Sequence, residues 1–427
     1  MTSQLLRQVR VLDPESETDR IADVLITDGR IAAIEASLPE PPANADVQDC
    51  SGCVLGPGLV DLYSHSGEPG FEDRETLDSL LHAAQAGGFT RLTLLPDTHP
   101  AIDTPASVEW LHARLRASPE PLPLLQCWGA LTVGVAGQQM VELAELAESG
   151  IVGFADGRPL QNSMLLRRLL EYGQILNRPI ALWCCDRELA GNGVVREGEE
   201  SLRLGLPGNP AMAETAPLAA LLECVATLGT PVHLMRISTA RSVELLRDAK
   251  ARGLPVTAST TWMHLLLNIT AVQSYDPSLH LEPPLGNPAD QEALCQAVQE
   301  GIIDAIAIDH SPYTYEEKTV AFAESPAGAI GLELALPLLW QQFVVSGQWS
   351  ALTLWRCLSS QPARCLHQPP ARLLPGSPAE LTLFDPHQSW TITPQTLHSR
   401  SSNTPWLGQP VRGRVIQTWN SRLANHA

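Results

Sequence analysis

The chain has 427 residues, of which 44% are hydrophobic and 18% are charged, and its formal net charge is −19. This length and apolar content suffice for one large domain or two ordinary ones without disulfide support. The negative charge opposes binding to nucleic acid or to an anionic membrane surface, so neither partner is expected. No run of about 18 apolar residues could span a bilayer, and the N-terminal residues lack the apolar core of a signal peptide. We therefore expect a cytoplasmic protein.

The first and last parts of the chain predict short strands. Residues 9–34 show alternating apolar and polar positions with a turn at Asp28-Gly29, and residues 379–415 repeat the pattern in AELTLFDP and VRGRVIQTW. The two ends are therefore expected to form one small β-sandwich, built from residues 1–56 and 371–427.

The central part of the chain alternates between strand and helix patterns. Apolar runs such as RLTLLPD, IVGFAD, PIALWC, PVHLMRIS and DAIAIDH are separated by helical stretches such as SLLHAAQAG and SVELLRDAKARG. That alternation predicts an α/β fold with a parallel sheet and outer helices, and its length suits a closed (β/α)8 TIM-like barrel over residues 57–370. Functional residues are then expected at the carboxyl ends of the strands.

The ten residues Asp61 to Gly70, DLYSHSGEPG, are the most informative segment. They resemble the signature D-x-H-x-H-x-R-E-P-G of dihydroorotase, of the long bacterial type, in the amidohydrolase superfamily. His65 matches the second histidine, whereas Tyr63 stands at the first and Gly67 stands at the arginine. Further landmarks follow in order up to about residue 420: FEDRETLDSLLHAAQAGGFTRLTLLPDTHPAID, GFADGRPLQNSMLLRRLLEYG, VVREGEESLRLGLPGNPAMAE, VHLMRISTARSVELLRDAK, LEPPLG, DAIAIDHSPYTYEEK and LHSRSSNTPWLGQPVRGRV.

The resemblance implies two divalent metals on six protein ligands, but only half of the ligand positions are retained. The retained positions are His65, Asp156 and Asp309, and the changed positions are Tyr63, Trp183 and Arg236. A structural zinc site normally has four protein ligands and a catalytic one three, so three residues cannot hold two metals. No metal cofactor is therefore expected.

Arg236 introduces a permanent cation at a position where the family has a metal ligand. The hypothesis is that it pairs with Asp309, Asp156 or both, while Trp183 fills part of the same cavity. Two alternatives stay open from the sequence. Asp156 can equally be a turn residue before Gly157, and His65 can be either a lone metal ligand or a hydrogen-bonded part of a strand-end turn.

The positions that the resemblance assigns to substrate binding are changed as well. An arginine, two asparagines and a histidine of the family correspond here to Gly67, Asp97, Glu282 and Tyr313. Two of these residues are acids, which repel an anionic ligand where water is excluded. Asp309 keeps the family's general-base position but is interpreted as vestigial, because no metal is expected to supply a hydroxide.

These observations predict a metal-free, dihydroorotase-like pseudoenzyme of the pyrimidine-biosynthesis family with a structural or regulatory role. Aspartate transcarbamoylase is the partner that the resemblance suggests, and a homo-oligomer is expected. The alternative is an active cyclic-amide hydrolase, similar to dihydroorotase or hydantoinase, with zinc in a reduced site on His65 and Asp309. A replacement centre of Cys184, Cys185 and His65 is also conceivable, although buried, inert thiols are the simpler interpretation of the two cysteines.

Overall fold

The computed structural model describes residues 3–39, 45–116 and 122–420. The predicted terminal unit also includes residues 1–2, 40–44 and 421–427, which lie outside the described residues. The strands are β1 Ser3–Asp13, β2 Thr18–Thr27, β3 Arg30–Glu35, β4 Ala45–Asp49, β5 Val54–Pro57, β6 Leu59–Val60, β7 Phe89–Leu94, β8 Leu124–Cys127, β9 Ala181–Trp183, β10 Val195–Arg196, β11 Gly208–Asn209, β12 Val232–Met235, β13 Val256–Thr261, β14 Ala305–Ala307, β15 Glu380–Thr391 and β16 Pro410–Asn420.

Fourteen α-helices accompany these strands in the described part of the chain. They are α1 Leu77–Ala86, α2 Pro105–Arg116, α3 Leu143–Glu148, α4 Ser163–Leu176, α5 Arg187–Ala190, α6 Glu199–Leu204, α7 Met212–Leu228, α8 Ala240–Ala251, α9 Trp262–Leu266, α10 Pro288–Gln299, α11 Tyr315–Lys318, α12 Ala335–Leu339, α13 Ala351–Leu358 and α14 Ser360–Cys365. Short 3-10 turns lie at Val133–Val135, Ile269–Ser274, Pro277–Leu279 and Phe322–Glu324, and a π-helical segment, Trp340–Val345, follows α12. None of the helices in the described ranges is long and apolar enough to cross a membrane.

Both ends of the chain contribute to one seven-stranded sheet. Its order is β16-β15-β5-β1-β2-β3, with β4 pairing with β1 on a branch. β15 runs antiparallel to β5 and β16, whereas β1 runs parallel to β4 and β5. Alternate apolar residues of these strands, such as Leu6, Val24 and Leu383, are buried in a shared core. The β-sandwich and the boundaries at residues 57 and 370 stay predictions.

The strands of the central region are parallel and follow one another in chain order. β6, β7 and β8 form one group, and β9, β12, β13 and β14 form another. Phe154 connects the groups through parallel bridges to Gly129 and Ile180. The His65 amide donates to the His310 carbonyl oxygen at 2.8 Å, and the Asp309 amide donates to the Tyr63 carbonyl oxygen at 3.1 Å. These hydrogen bonds link the segment after β14 back to the segment after β6.

The strands are apolar on both faces because helices pack outside them. All six residues of β7, FTRLTL, are buried. Helix α1 shows how an outer helix begins: the Thr76 hydroxyl accepts from the Ser79 amide, and the Ser79 hydroxyl accepts from the Thr76 amide. Its residues Leu77, Leu80 and Leu81 then face the core.

A buried ion pair connects the parallel strands to the terminal sheet. Arg91 of β7 donates from Nε to Glu380 Oε1 at 2.6 Å and from Nη2 to Glu380 Oε2 at 3.0 Å. Its Nη1 donates to the Gln368 side chain and to the Pro369 carbonyl oxygen, both at 3.1 Å. The guanidinium therefore has a partner for each of its nitrogens although it is fully buried.

Candidate functional site

A cavity of about 190 Å³ lies at the carboxyl ends of the parallel strands. Of the residues that the sequence singled out, seven line it: His65, Asp97, Trp183, Arg236, Glu282, Asp309 and Tyr313. Tyr63, Gly67 and Asp156 are not among the described residues that line it. The lining also includes His264, which keeps one of two histidines of a family landmark, and two arginines that the motif comparison did not identify, Arg158 and Arg187. The cavity is thus rich in charged and aromatic groups.

Arg236 and Asp309 form a two-pronged ion pair at the base of this cavity. Arg236 Nε donates to Asp309 Oδ2 at 2.8 Å, and Nη2 donates to Oδ1 at 2.7 Å. The two side chains are only 5% and 13% exposed. Burial raises the pKa of Asp309, but the Arg236 and His65 charges outweigh it and hold that pKa well below its ordinary value. The same pairing raises the pKa of Arg236 despite its burial.

Both residues of this pair have a left-handed backbone, with φ of 57° at Arg236 and 53° at Asp309. Such a conformation is uncommon outside glycine and asparagine, and it persists where surrounding contacts hold it. At Arg236, one such contact comes from Tyr63, whose hydroxyl accepts a hydrogen bond from the Arg236 amide at 3.2 Å. The backbone therefore turns each side chain toward the other at the strand ends.

The Arg236 guanidinium group also contacts a backbone carbonyl oxygen and two aromatic rings. Nη1 donates to the Gly157 carbonyl oxygen at 2.9 Å. The guanidinium carbon lies 4.8 Å from the ring centre of Trp183 and 5.8 Å from that of Tyr63, within the range of cation–π attraction. Trp183 thus packs against the cation that stands at a former ligand position.

His65 connects this ion pair to Asp97. Its Nδ1 lies 2.8 Å from Asp97 Oδ2, and its Nε2 lies 3.1 Å from Arg236 Nη2 and 3.5 Å from Asp309 Oδ1. Burial lowers the pKa of His65, but Asp97 and Asp309 outweigh that effect and raise the pKa to about 9. Arginine nitrogens only donate, so the contact with Arg236 is a hydrogen bond when Nε2 is unprotonated, and on protonation of His65 it becomes a contact between two cations, which the two carboxylates offset. The group of four side chains is electrically neutral in that state.

Tyr63 lies beneath the cavity and joins three strands. Its hydroxyl is 3.0 Å from Ser259 Oγ, which is 2.9 Å from His233 Nε2, and His233 Nδ1 is 2.9 Å from Thr257 Oγ1. Burial lowers the pKa of His233 to about 3, so its imidazole is neutral at ordinary pH. Where the resembled family has a metal ligand, this chain therefore has a buried hydrogen-bonded phenol.

Asp156 does not pair with Arg236, so that part of the hypothesis was wrong. Its Oδ1 accepts from the amides of Leu131 and Thr132 at 2.7 and 3.1 Å, and its Oδ2 accepts from the Thr132 hydroxyl at 2.6 Å. The carboxylate organises the neighbouring loop, as the turn interpretation of Asp156 allows. Arg236 instead contacts the carbonyl oxygen of the next residue, Gly157.

Gly67 has no room for a side chain. A Cβ atom there would lie 2.3 Å from the Phe71 carbonyl oxygen and 2.4 Å from the Glu75 carbonyl oxygen. Both obstacles are backbone atoms of the turn that precedes α1, and they cannot move independently. The position that matches a ligand-binding arginine is therefore occupied by closely packed backbone.

The two remaining predicted pocket residues are held by cations. Glu282 forms a two-pronged pair with Arg187 at 2.7 and 2.9 Å, and each of these side chains is 43% exposed. The ring of Tyr313 lies 4.9 Å from the Arg74 guanidinium carbon and 5.1 Å from Lys318 Nζ. Glu282 therefore meets a cation of its own chain at the mouth of the cavity.

The residues present do not fit a metal ion. Both oxygens of Asp309 accept from Arg236, both oxygens of Asp156 are used by the loop, and His65 Nδ1 is paired with Asp97. Within the described ranges no three His, Cys, Asp or Glu side chains are grouped so that they could hold one. Cys184 and Cys185 are buried, and burial raises the pKa of the Cys185 thiol to about 11, which disfavours the thiolate that metals bind.

Solved structures with this fold are hydantoinases. The L-hydantoinase (dihydropyrimidinase) from Arthrobacter aurescens superposes with a TM-score of 0.83 at 21% identity, covering 98% of this chain and 94% of that one. A D-hydantoinase from Thermus sp. gives a TM-score of 0.80 at 21% identity over the same shares of the two chains. The fold is thus that of the hydantoinase-type amidohydrolases.

The sequence comparisons identify the family, whereas the solved structures identify only the fold. A family model described as dihydro-orotase-like matches residues 52–242. A Synechocystis sp. protein named "Probable dihydroorotase-like protein" is 44% identical over 99% of this chain and 100% of its own length. A dihydroorotase from Pelotomaculum thermopropionicum is 38% identical over 96% of this chain and 95% of its own length. The chain therefore belongs to the dihydroorotase-like family, which confirms the resemblance drawn from its motifs.

Proposed function

We propose that this protein is a metal-free member of its family that does not hydrolyse dihydroorotate and that acts through its surface. In this proposal the ring of parallel strands is a (β/α)8 barrel, capped by the sheet that both chain ends build. The barrel is kept as a scaffold, and its former reaction centre has become a structural element.

The contacts of Arg236 carry this proposal. A metal-dependent amidohydrolase needs a cation that lowers the pKa of a bound water and polarises the carbonyl group of the substrate. Here the cation between Asp309 and His65 is a guanidinium, whose nitrogens are donors only and bind no hydroxide. Asp309 is held by Arg236 through both oxygens, and this pairing lowers its pKa and so weakens it as a base.

The former substrate positions support the same conclusion. Asp97 and Glu282 place two carboxylates in the cavity, and the arginine position is the crowded Gly67. Burial raises the pKa of Asp97, but His65, Arg158 and Arg236 hold it below its ordinary value, so this group is anionic. Two of the cations that line the cavity are already engaged, Arg187 by Glu282 and Arg236 by Asp309, and no arginine stands at position 67, where the resemblance places the partner of the substrate carboxylate.

Metal content provides the first test. When the protein is purified after growth with added zinc, elemental mass spectrometry should detect almost no zinc per chain. A variant with Tyr63→His, Trp183→His and Arg236→His restores the family's ligand types and serves as the positive control. Wild-type protein with about one zinc per chain would contradict the proposal and favour a hydrolase with a reduced metal site.

Turnover provides the second test. Dihydroorotate should not be consumed by the wild-type protein above the rate of a buffer blank. A rate that disappears in Asp309→Ala but persists in Arg187→Ala would show that the site is catalytic and would overturn the proposal.

Family resemblance suggests aspartate transcarbamoylase as the partner of this surface. The tagged full-length chain, expressed in its own cells at native level, should retain the transcarbamoylase subunit through purification. If that subunit is absent, the assignment of this partner is wrong, whereas the metal and turnover results are unaffected.

A further inference from the structure

Helix α4, Ser163–Leu176, has an outward face that no other described part of the chain covers. Leu165, Leu169, Leu170 and Gly173 are its buried residues. On the opposite side Met164 is 66% exposed, Tyr172 is 52% exposed and Ile175 is 81% exposed. Large apolar side chains at this exposure, grouped on one helix, are typical of an interaction surface.

The centre of this face has a regular order. Met164, Arg168, Glu171 and Ile175 are spaced by four, three and four residues, which places them on one stripe of a helix. The stripe therefore reads apolar, positive, negative, apolar. Glu171 accepts from Arg167 at 2.8 Å, whereas Arg168 forms no ion pair within the described residues.

This order is self-complementary when the helix meets a second copy of itself in the opposite direction. Consider a twofold axis that crosses the exposed stripe midway between Arg168 and Glu171. Met164 then faces the partner's Ile175, and Arg168 faces the partner's Glu171. The same two contacts recur on the other side of the axis, as an isologous interface requires. Two apolar contacts then flank two pairs of opposite charge.

We propose that α4 is a self-association surface, on which a second copy of this chain packs with its own α4 antiparallel. The stripe is separate from the cavity, because α4 contributes none of the described residues that line it. The inference therefore goes beyond the proposed function and is independent of it.

The interface between two α4 helices is small, which indicates a weak association. A helix of 14 residues is about 21 Å long, so one antiparallel pair covers less than the roughly 800 Å² per partner of a standard interface. Exposed Met212 at the start of α7, which packs beside α4, is positioned to enlarge the contact. We expect a reversible dimer with a dissociation constant in the micromolar range rather than an obligate one.

Sedimentation velocity of the full chain from about 1 to 200 µM tests this surface. The wild-type protein should convert from monomer to dimer within that range, and Ile175→Asp should prevent the conversion. Leu202→Asp is the matched control, because Leu202 is 83% exposed on a different helix and should leave the dimer unchanged. A wild-type monomer at every concentration, or a dimer that Ile175→Asp leaves intact, would overturn the proposal.

Exchange of the two charges tests the antiparallel register. Arg168→Glu alone and Glu171→Arg alone each turn both attractive pairs into repulsive ones and should weaken the dimer at least about tenfold. The double variant R168E/E171R restores opposite charges across the twofold axis and should recover wild-type affinity within about threefold. Failure of the double variant to recover the dimer would refute this register, even if each single variant weakens it. Unchanged melting temperatures for all three variants exclude unfolding as the cause.

Discussion

Two arginines of this chain, Arg91 and Arg236, each grip a carboxylate with two nitrogens, but the surroundings of the two pairs differ. The Arg91–Glu380 pair is closed off from solvent between a parallel strand and the terminal sheet. The Arg236–Asp309 pair lies at the strand ends, beside a cavity and two further charged groups. The same chemical contact therefore joins a parallel strand to the terminal sheet in one place and lies beside an open cavity in the other.

The two pairs differ in which groups could stabilise the carboxylate if its arginine were removed. Around Arg91 every guanidinium nitrogen already has a hydrogen-bond partner, and both side chains of the pair are almost fully buried. Around Arg236 a cavity of about 190 Å³ can admit water, and His65 offers a second cation to Asp309. We therefore expect the first pair to be the more costly one to break.

The largest effect is expected for Arg91→Met, which takes from the buried Glu380 carboxylate the guanidinium that donates to both of its oxygens. The free energy of unfolding, measured by urea denaturation, should fall by about 3 to 5 kcal/mol. The double variant Arg91→Met/Glu380→Leu removes both charges and should regain most of that loss. A double variant as unstable as the single one would mean that packing, rather than charge, makes this contact important.

A smaller loss is expected for Arg236→Met, because water in the cavity can solvate Asp309. The free energy of unfolding should fall by about 2 to 3 kcal/mol, somewhat below the range for fully buried pairs. Arg236→Lys keeps the charge without the two-pronged geometry and should lie between wild type and Arg236→Met. An unchanged melting temperature for Arg236→Met would rule out the structural role of this pair.

The pH dependence of His65 sharpens the comparison, since Arg91–Glu380 includes no histidine. The pKa of His65 is raised in the folded state to about 9, so its stabilising contribution is complete below about pH 6.5 and is lost as pH rises toward 9. Between those pH values the wild type should lose about 1 to 3 kcal/mol of unfolding free energy relative to His65→Gln. Parallel stability curves for the two proteins would show that His65 is neutral throughout.

The smallest effect is expected at the mouth of the cavity. The Arg187–Glu282 pair is 43% exposed on both sides, so water screens it. Arg187→Ala should change the unfolding free energy by no more than about 1 kcal/mol, as determined by chemical denaturation. A loss as large as that of Arg236→Met would place this pair among the structural contacts instead.

Sequence patterns predicted the parallel strands and the residues at their ends, because buried strands can be continuous apolar runs such as AIA of β14. The Arg236–Asp309 pair was predictable for a similar reason, since both residues follow strands that the family motifs identify. The Arg91–Glu380 pair was not predictable, because 289 residues separate its members and the resemblance assigns no role to either position.

Side-chain direction limited the rest of the prediction. The sequence left open whether Asp156 pairs with Arg236 or belongs to a turn, and in the structure its carboxylate accepts from the amides of Leu131 and Thr132 in a different loop. The hydrogen bonds from Tyr63 through Ser259 to His233 were not predicted either. A single histidine within an apolar strand does not show in the sequence which residues it will contact. Arg187 could have been found as the first cation after the Trp183 strand end.

Gly67 is the position at this site where a larger side chain is hardest to introduce. Tyr63, Trp183 and Arg236 could each revert by a single substitution, since a side chain of some kind already occupies each place. At position 67 a restored side chain would collide with the carbonyl oxygens of Phe71 and Glu75, so the turn before α1 would have to be rebuilt first. A variant with histidines at positions 63, 183 and 236 would therefore still have no space for an arginine at position 67.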